Sequence, residues 1–154
     1  MAASPAWHIE DGNVAQFPAL AELWREAWQV TRPDVDFTAR LGFIEGRLAD
    51  SARGQYRLRV LSRGTEEGAP LGFTLLEPKM ALMEQIAVHP EAWGLGAADA
   101  LLEDANALVG QRLWLTVNQF NARAIRFYER HGFTTTGEDI SPSGLPTYVM
   151  KLTP

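Results

Sequence analysis

The chain has 154 residues, a formal net charge of -5 at pH 7 and no cysteine. This length suits a single domain, 1–154, with a substantial core, because typical domains contain about 100 to 200 residues. The negative charge gives no broad attraction to nucleic acid or to an anionic membrane, so neither is an expected partner. The absence of cysteine excludes disulfides and thiolate metal ligands and fits a cytoplasmic protein. The lack of a leader pattern or a long apolar run predicts that the whole chain is the mature protein.

Two helices are predicted in the first third of the chain. Apolar residues recur at helical spacing in ALAELWREAWQV (19–30), with Pro18 and Pro33 as its boundaries. FTARLGFIEGRLADSA (37–52) has a similar period, although two glycines within it weaken a helix by about 1 kcal/mol each relative to alanine.

Strands follow these helices. YRLRVLS (56–62) alternates apolar and charged residues, and APLGFTLLEP (69–78) comes after the turn-rich GTEEG (64–68), so the pair predicts a hairpin. ALMEQIAV (81–88) is predicted to be a third strand.

The next segments predict a βαβ unit. An apolar stripe runs from Gly96 to Gly110, where the helix should stop, and RLWLTV (112–117) is a short strand rich in apolar residues. ALMEQIAV, this helix and RLWLTV therefore predict two parallel neighbouring strands in an otherwise antiparallel sheet.

The last third predicts a helix and two strands. NARAIRFYERHGF should be a helix capped by Asn121 and closed by Gly132 in the left-handed conformation, with Phe133 packing back toward Tyr128. FTTTGEDI and TYVMKLT then predict two strands around the turn SPSGLP.

The stretch HPEAWGLGAADALLEDA (89–105) places two glycines between a strand and a helix. Such a turn can point backbone N–H groups and a helix N-terminus at an anion, but glycine pairs are also common at plain turns. A P-loop is excluded because Gly-Lys-Ser/Thr is absent, and a Rossmann loop is disfavoured because Asp99 and Asn118 stand where a glycine or alanine and an acidic residue are needed.

The stretch instead resembles the acetyl-CoA-binding loop of the GNAT superfamily of N-acetyltransferases. That loop reads Gln/Arg-x-x-Gly-x-Gly/Ala, between a strand ending in Val-x-Pro-Glu and a helix with Leu-Leu. The matching residues are Val88, Pro90, Glu91, Gly94, Gly96, Ala98, Leu101 and Leu102. A second GNAT element, Asn-x-x-Ala-x-x-Phe-Tyr-x-x-x-Gly-Phe, is matched at Asn121, Ala124, Phe127, Tyr128, Gly132 and Phe133. The resemblance runs from Leu71 to Met150.

The resemblance implies an α/β (α+β) GNAT fold. Such a fold has a mixed, mostly antiparallel sheet of six or seven strands, a central parallel βαβ pair splayed to hold CoA, and helices on both faces. The expected cosubstrate is acetyl-CoA, with no metal. Its expected contacts are Ile86, Ala87, Val88, Trp93, Gly94, Leu95, Gly96, Ala97, Ala98, Asn121, Ala124 and Tyr128.

The loop departs from the family pattern in its side chains. Trp93 stands where Gln or Arg is usual, and Leu95 and Asp99 replace residues that are often basic or small. Backbone N–H groups are therefore expected to provide most of the hydrogen bonds to the pyrophosphate.

The resemblance also suggests catalytic residues. Tyr128 is expected to donate a proton to the departing thiolate, because a phenol is protonated at neutral pH; the alternative is an aromatic residue of the buried stripe. Glu84, which interrupts the apolar strand, is the candidate base, although a lone strand carboxylate is more often simply solvated. Thr116 occupies a position where some relatives carry a glutamate and cannot act as a base.

The acceptor side is less well defined. Trp24 and Trp28 could line an acceptor pocket and contact an ammonium group, with core packing as the alternative. His89 and His131 are interpreted as structural, and the sequence contains no metal-binding or serine-hydrolase motif.

These observations predict an N-acetyltransferase that moves acetyl to a primary amine, on a small molecule or a peptide N-terminus, by direct attack in a ternary complex. It would act as a monomer or homodimer. The alternative is a non-catalytic GNAT-fold module that has lost productive CoA binding.

Overall fold

A mixed β-sheet lies at the centre of the structure, a computed structural model that describes residues 6–64, 68–110 and 112–153. Within these ranges the sheet has seven strands and is accompanied by four α-helices. The strands are β1 (Trp7–Asp11), β2 (Arg57–Arg63), β3 (Pro70–Glu77), β4 (Leu82–Val88), β5 (Trp114–Asn118), β6 (Phe133–Ile140) and β7 (Pro146–Leu152). The helices are α1 (Phe17–Thr31), α2 (Leu41–Ala52), α3 (Ala97–Val109) and α4 (Ala122–Arg130).

The strand order in the sheet is β1-β2-β3-β4-β5-β7-β6. Pairing is antiparallel throughout, except between β4 and β5, which are parallel and joined through α3. This is the predicted βαβ unit, and it divides the sheet into two antiparallel halves.

Helices cover both faces of the sheet, as predicted. Phe73 and Leu75 of β3 pack in one core with α1 and α2. On the other face, Leu76 belongs to the core of α3 and α4. Gly72 allows α3 to pack closely against β3, because the Leu101 Cδ1 atom lies only 3.0 Å from the position that a Cβ atom at residue 72 would occupy. None of the helices in the described ranges is both long and apolar enough to span a bilayer.

The sequence signals at the ends of α4 are confirmed. Asn121 accepts a hydrogen bond from the N–H of Ala124 at 3.2 Å, as a capping residue does. Gly132 has φ +89°, and the ring centroids of Tyr128 and Phe133 are 5.7 Å apart.

Two elements differ from the prediction. β1 was not predicted, because its five residues are only half-buried and it exists as an edge strand through pairing with β2. The predicted helix over 37–52 becomes regular only at Leu41, since Asp36 accepts hydrogen bonds from the N–H groups that follow it and holds residues 38–40 in a tighter turn. The middle of the predicted turn GTEEG lies outside the described residues.

Candidate active site

The two parallel strands separate soon after they begin. β4 and β5 pair only at Leu82 and Trp114. Met83 and Gln85 face consecutive residues of β3, so Glu84 between them is an extra residue that forms a β-bulge. Because a bulge bends its strand and re-aims a side chain, it accounts for the divergence of β4 from β5 beyond this point.

The separation opens a cleft of about 1490 Å³. Ligand pockets usually have about 300 to 1,000 Å³, so this cleft has room for two substrates. It contains all of the predicted site residues except Leu95. The predicted residues that line it are Trp24, Trp28, Glu84, Ile86, Ala87, Val88, Trp93, Gly94, Gly96, Ala97, Ala98, Asn121, Ala124 and Tyr128.

The glycine loop forms one end of the cleft. Gly94 and Gly96 have φ values of +77° and +87°, a region that L side chains rarely adopt, and α3 begins at Ala97. The first N–H groups of an α-helix have no partner within the helix and carry its positive dipole end. The loop is therefore suited to binding an anion. Leu95, the residue between the two glycines, is 39% exposed and does not line the cleft.

Trp93 makes two contacts that the sequence did not indicate. Its indole N–H donates to the Val88 carbonyl at 2.8 Å, so one backbone acceptor of β4 already has a partner. The guanidinium of Arg123, in the first turn of α4, lies 5.1 Å from the centroid of the Trp93 ring. The Arg123 guanidinium of α4 therefore lies beside the glycine loop, which has no basic side chain of its own.

Tyr128 lies in the cleft among other rings. Its side chain is 6% exposed, and the Phe127 and Phe133 centroids lie 5.3 and 5.7 Å from its own. Burial raises the pKa of the Tyr128 phenol, so the group is protonated at neutral pH. Its hydroxyl makes no hydrogen bond within the described ranges, which leaves its proton available to a ligand in the cleft.

Glu84 is placed in the cleft with a basic partner. The Arg47 Nε atom donates to Glu84 Oε1 at 3.0 Å, and both side chains are mostly buried. Arg47 belongs to α2, so this ion pair joins the bulge of β4 to that helix. Thr116 is exposed on β5 across the gap and also lines the cleft.

Trp24 and Trp28 pack in the core, as the alternative interpretation expected, and they also line the cleft. Trp24 is 4% exposed and is part of the core with α2, and Trp28 packs against that core, yet both line the cleft. They belong to the wall formed by α1 and α2, opposite the glycine loop and α4.

The profile of the acetyltransferase (GNAT) family matches residues 17–133, which is most of the chain. The chain belongs to the GNAT family. One relative is a 5-NmdU N-acetyltransferase of Pseudomonas phage PaMx11, 32% identical over 138 residues that cover 84% of this chain and 94% of the relative. Another is the peptidyl-lysine N-acetyltransferase YjaB of Salmonella typhimurium, 32% identical over 57% of this chain and 59% of the relative.

Solved structures agree on the fold. The solution structure of apo YjaB from Escherichia coli superposes with a TM-score of 0.74, at 22% identity, over 96% of this chain and 98% of the other. PaiA N-acetyltransferase from Thermoplasma acidophilum, solved in complex with coenzyme A, gives a TM-score of 0.75 at 16% identity, over 97% and 99%. These structures confirm the GNAT fold. The family profile and the named relatives confirm the assignment as an N-acetyltransferase enzyme, which favours the catalytic interpretation over the non-catalytic module.

The two histidines near this GNAT loop contact acidic residues. His131 Nε2 lies 2.7 Å from Asp99 Oδ1, so the acid in the first turn of α3 has a partner at the C-terminal cap of α4. His89 Nε2 contacts Glu26 of α1, and its Nδ1 accepts the N–H of Glu91. Both histidines have structural contacts, in line with the prediction. The described residues contain no group of three or more acidic or histidine side chains that could hold a metal ion.

Sequence reasoning missed the arginines of this site. Arg47 pairs with Glu84 although 37 positions separate them, and Arg123 meets Trp93 across the gap. Arg123 lies within the second GNAT element, but a one-dimensional pattern gives no sign that the first turn of α4 faces the glycine loop.

Proposed function

We propose that this enzyme takes an acetyl group from acetyl-CoA and transfers it directly to a primary amine in a ternary complex. The observation that carries the proposal is the gap between β4 and β5 beyond the bulge at Glu84. It leads from an anion-binding loop past Tyr128 to a wall of aromatic side chains. Two substrates entering from opposite ends would meet beside Glu84 and Tyr128.

The loop end suits the pyrophosphate of CoA. The N–H groups at the start of α3 would supply hydrogen bonds, and Arg123 and Arg130, which line the cleft from α4, would supply positive charge. Asp99 alone would repel an anion there, but its contact with His131 offsets its charge when the imidazole is protonated. The pantetheine arm would run along Ile86 and Val88, where the Val88 carbonyl is shared with the Trp93 indole.

The reaction needs a neutral amine. At a pKa of about 10.4, only about one amine in 2,500 is neutral at pH 7, so a group that accepts the amine proton would increase the reactive fraction. Glu84 is proposed to accept that proton, directly or through water, with its carboxylate held in place by Arg47.

The departing sulfur needs a proton. The amine nitrogen forms a bond to the thioester carbonyl carbon, the carbon–sulfur bond breaks, and the electron pair leaves with the sulfur. A thiol has a pKa of about 8.5, below that of a phenol, yet a proton shared with the developing thiolate stabilises it as the bond breaks. Tyr128 is proposed to supply this proton, because its side chain lines the cleft and its hydroxyl is protonated at neutral pH and has no hydrogen-bond partner within the described ranges.

Two measurements test the proposal. Acetyl-CoA should raise the melting temperature, because a ligand at 100 times its dissociation constant adds about 2.7 kcal/mol to the free energy of unfolding. Release of free thiol should then be followed with a panel of amines that includes 5-NmdU, a lysine peptide and a peptide with a free N-terminus. Thiol release that depends on an amine, with the acetylated amine found by mass, would support the proposal. Binding of acetyl-CoA without transfer to any amine would contradict it.

A further inference from the structure

The wall of the cleft opposite the glycine loop is built from stacked aromatic rings. Trp28 stacks on Phe37 with centroids 5.7 Å apart and planes 23° apart. Trp24 meets Phe37 edge-on at 5.8 Å and Phe43 at 6.0 Å. Phe43 is 38% exposed and all four side chains line the cleft, so part of this surface is open to a ligand. A flat unsaturated group would pack against it by stacking or edge-to-face contact.

One buried donor in this wall has no partner. Trp24 Nε1 is buried without a hydrogen bond within the described ranges. Buried indole N–H groups usually have a partner, and even the less buried Trp93 and Trp114 have one: Trp93 donates to the Val88 carbonyl and Trp114 to the Met80 carbonyl. An unpaired buried donor is costly, so a ligand oxygen that accepts from Trp24 would recover that cost.

Two arginines lie on the same wall. The Arg47 guanidinium is 5.0 Å from the centroid of the Phe43 ring, and that of Arg40 is 5.6 Å from the centroid of Phe37. Arg47 is paired with Glu84, whereas Arg40 has no carboxylate partner within the described ranges. The wall therefore offers positive charge beside flat rings, which favours an oxygen acceptor on the ligand.

We propose that the acceptor carries its amine as an aminomethyl group on a flat, unsaturated ring that also bears a carbonyl or carboxylate oxygen. The ring would lie against Phe43 and Trp28, its oxygen would accept from Trp24 Nε1, and its aminomethyl group would reach Glu84. This inference rests on the proposed function and specifies its acceptor. A lysine side chain could place its ammonium group on the rings, but its flexible aliphatic chain has no oxygen and would leave the Trp24 donor unpaired.

Three amines distinguish the contribution of the flat ring to specificity from that of the oxygen. They are 4-(aminomethyl)benzoate, trans-4-(aminomethyl)cyclohexanecarboxylate, which has a saturated ring, and benzylamine, which lacks the oxygen. The specificity constant kcat/KM is measured by thiol release at saturating acetyl-CoA and expressed per neutral amine, because the three amines differ in basicity. We expect the benzoate to exceed each of the others by about tenfold or more, which corresponds to about 1.4 kcal/mol. Equal constants for the benzoate and the saturated ring would overturn the inference.

A variant tests the role of the indole donor. Trp24→Phe keeps an aromatic ring and removes the N–H, so it should reduce the preference for the benzoate over benzylamine and leave the preference for the flat ring. Trp114→Phe, outside the cleft lining, is the matched control and should keep both preferences. An unchanged benzoate preference in Trp24→Phe would refute the assigned contact.

Calorimetry with the wild-type protein separates this inference from the proposed function. It measures binding of the same three compounds without turnover. Tighter binding of the benzoate, even if no amine is acetylated, would support the acceptor class while the transfer proposal fails. Transfer of acetyl to the amines without any preference for the flat, oxygen-bearing ring would support the proposed function and contradict the acceptor class.

Discussion

Replacing Tyr128 by Phe removes one oxygen atom from a side chain that is otherwise held by ring contacts. The hydroxyl has no hydrogen bond within the described ranges, and the contacts with Phe127 and Phe133, at 5.3 and 5.7 Å between centroids, do not involve it. Because no hydrogen bond is lost, the free energy of unfolding should change by less than about 1 kcal/mol. The melting temperature near neutral pH should therefore stay close to that of the wild type.

The effect of the same substitution on catalysis should be large. A positioned general acid contributes about 10²- to 10⁴-fold to the rate, which is about 3 to 5 kcal/mol of the activation barrier. We expect kcat to fall by that factor while the dissociation constant for acetyl-CoA stays within about twofold, since a proton donor acts mainly in the transition state.

The assay is thiol release with the best amine of the panel, beside calorimetry for acetyl-CoA and a thermal melt. Tyr148→Phe is the matched control, because it makes the same chemical change on β7 at a residue that does not line the cleft. A Tyr128→Phe enzyme that keeps full kcat would show that water or the solvent protonates the leaving group. A large fall in melting temperature would show that the hydroxyl has a structural partner after all.

Three further predictions concern charge. Glu84→Gln should move the acidic limb of the pH–rate profile to higher pH, because the amine must then lose its proton unaided; an unmoved limb would exclude Glu84 as the base. Arg123→Gln should weaken acetyl-CoA binding by about 10- to 100-fold and make it less sensitive to salt, whereas Arg126→Gln, on the same helix but outside the cleft lining, should change neither. Burial raises the pKa of Tyr128 above the value of about 10 in the unfolded chain, so its contribution to stability is complete below pH 10 and is lost at up to about 1.4 kcal/mol per pH unit above it. Urea unfolding between about pH 9 and pH 11 should show a shallower loss in Tyr128→Phe, and equal slopes would contradict the burial effect.

The elements that sequence predicted well are those whose signals are local. The ends of α4 follow from Asn121 as a cap and Gly132 at positive φ, which act within a few residues of the chain. β1 was not predicted because a half-buried edge strand of five residues has little hydrophobic alternation in its sequence. Its pairing with β2 stabilises it.

The site shows the same division. The glycine loop and Tyr128 could be found from motifs, since each motif encodes a local backbone shape or a face of one helix. The Arg47–Glu84 ion pair and the Trp93–Arg123 contact could not, because each depends on how separate elements approach one another. The unpaired Trp24 donor was also invisible in the sequence, where a tryptophan at helical spacing predicts only burial.

The contacts of Trp93 show how the chain could manage without a basic residue in its loop. An arginine at position 93 would carry a positive charge on the loop itself. The Trp93 indole carries none, but it is held by its hydrogen bond to the Val88 carbonyl and its ring contacts the guanidinium of Arg123. The positive charge then comes from α4, on the opposite side of the gap between β4 and β5. A pyrophosphate held by both the α3 amides and Arg123 would bridge the two halves of the sheet, which pair directly only at Leu82 and Trp114. Binding of acetyl-CoA should therefore rigidify the junction between the halves as well as fill the cleft, so the loss of Arg123 should weaken both effects together.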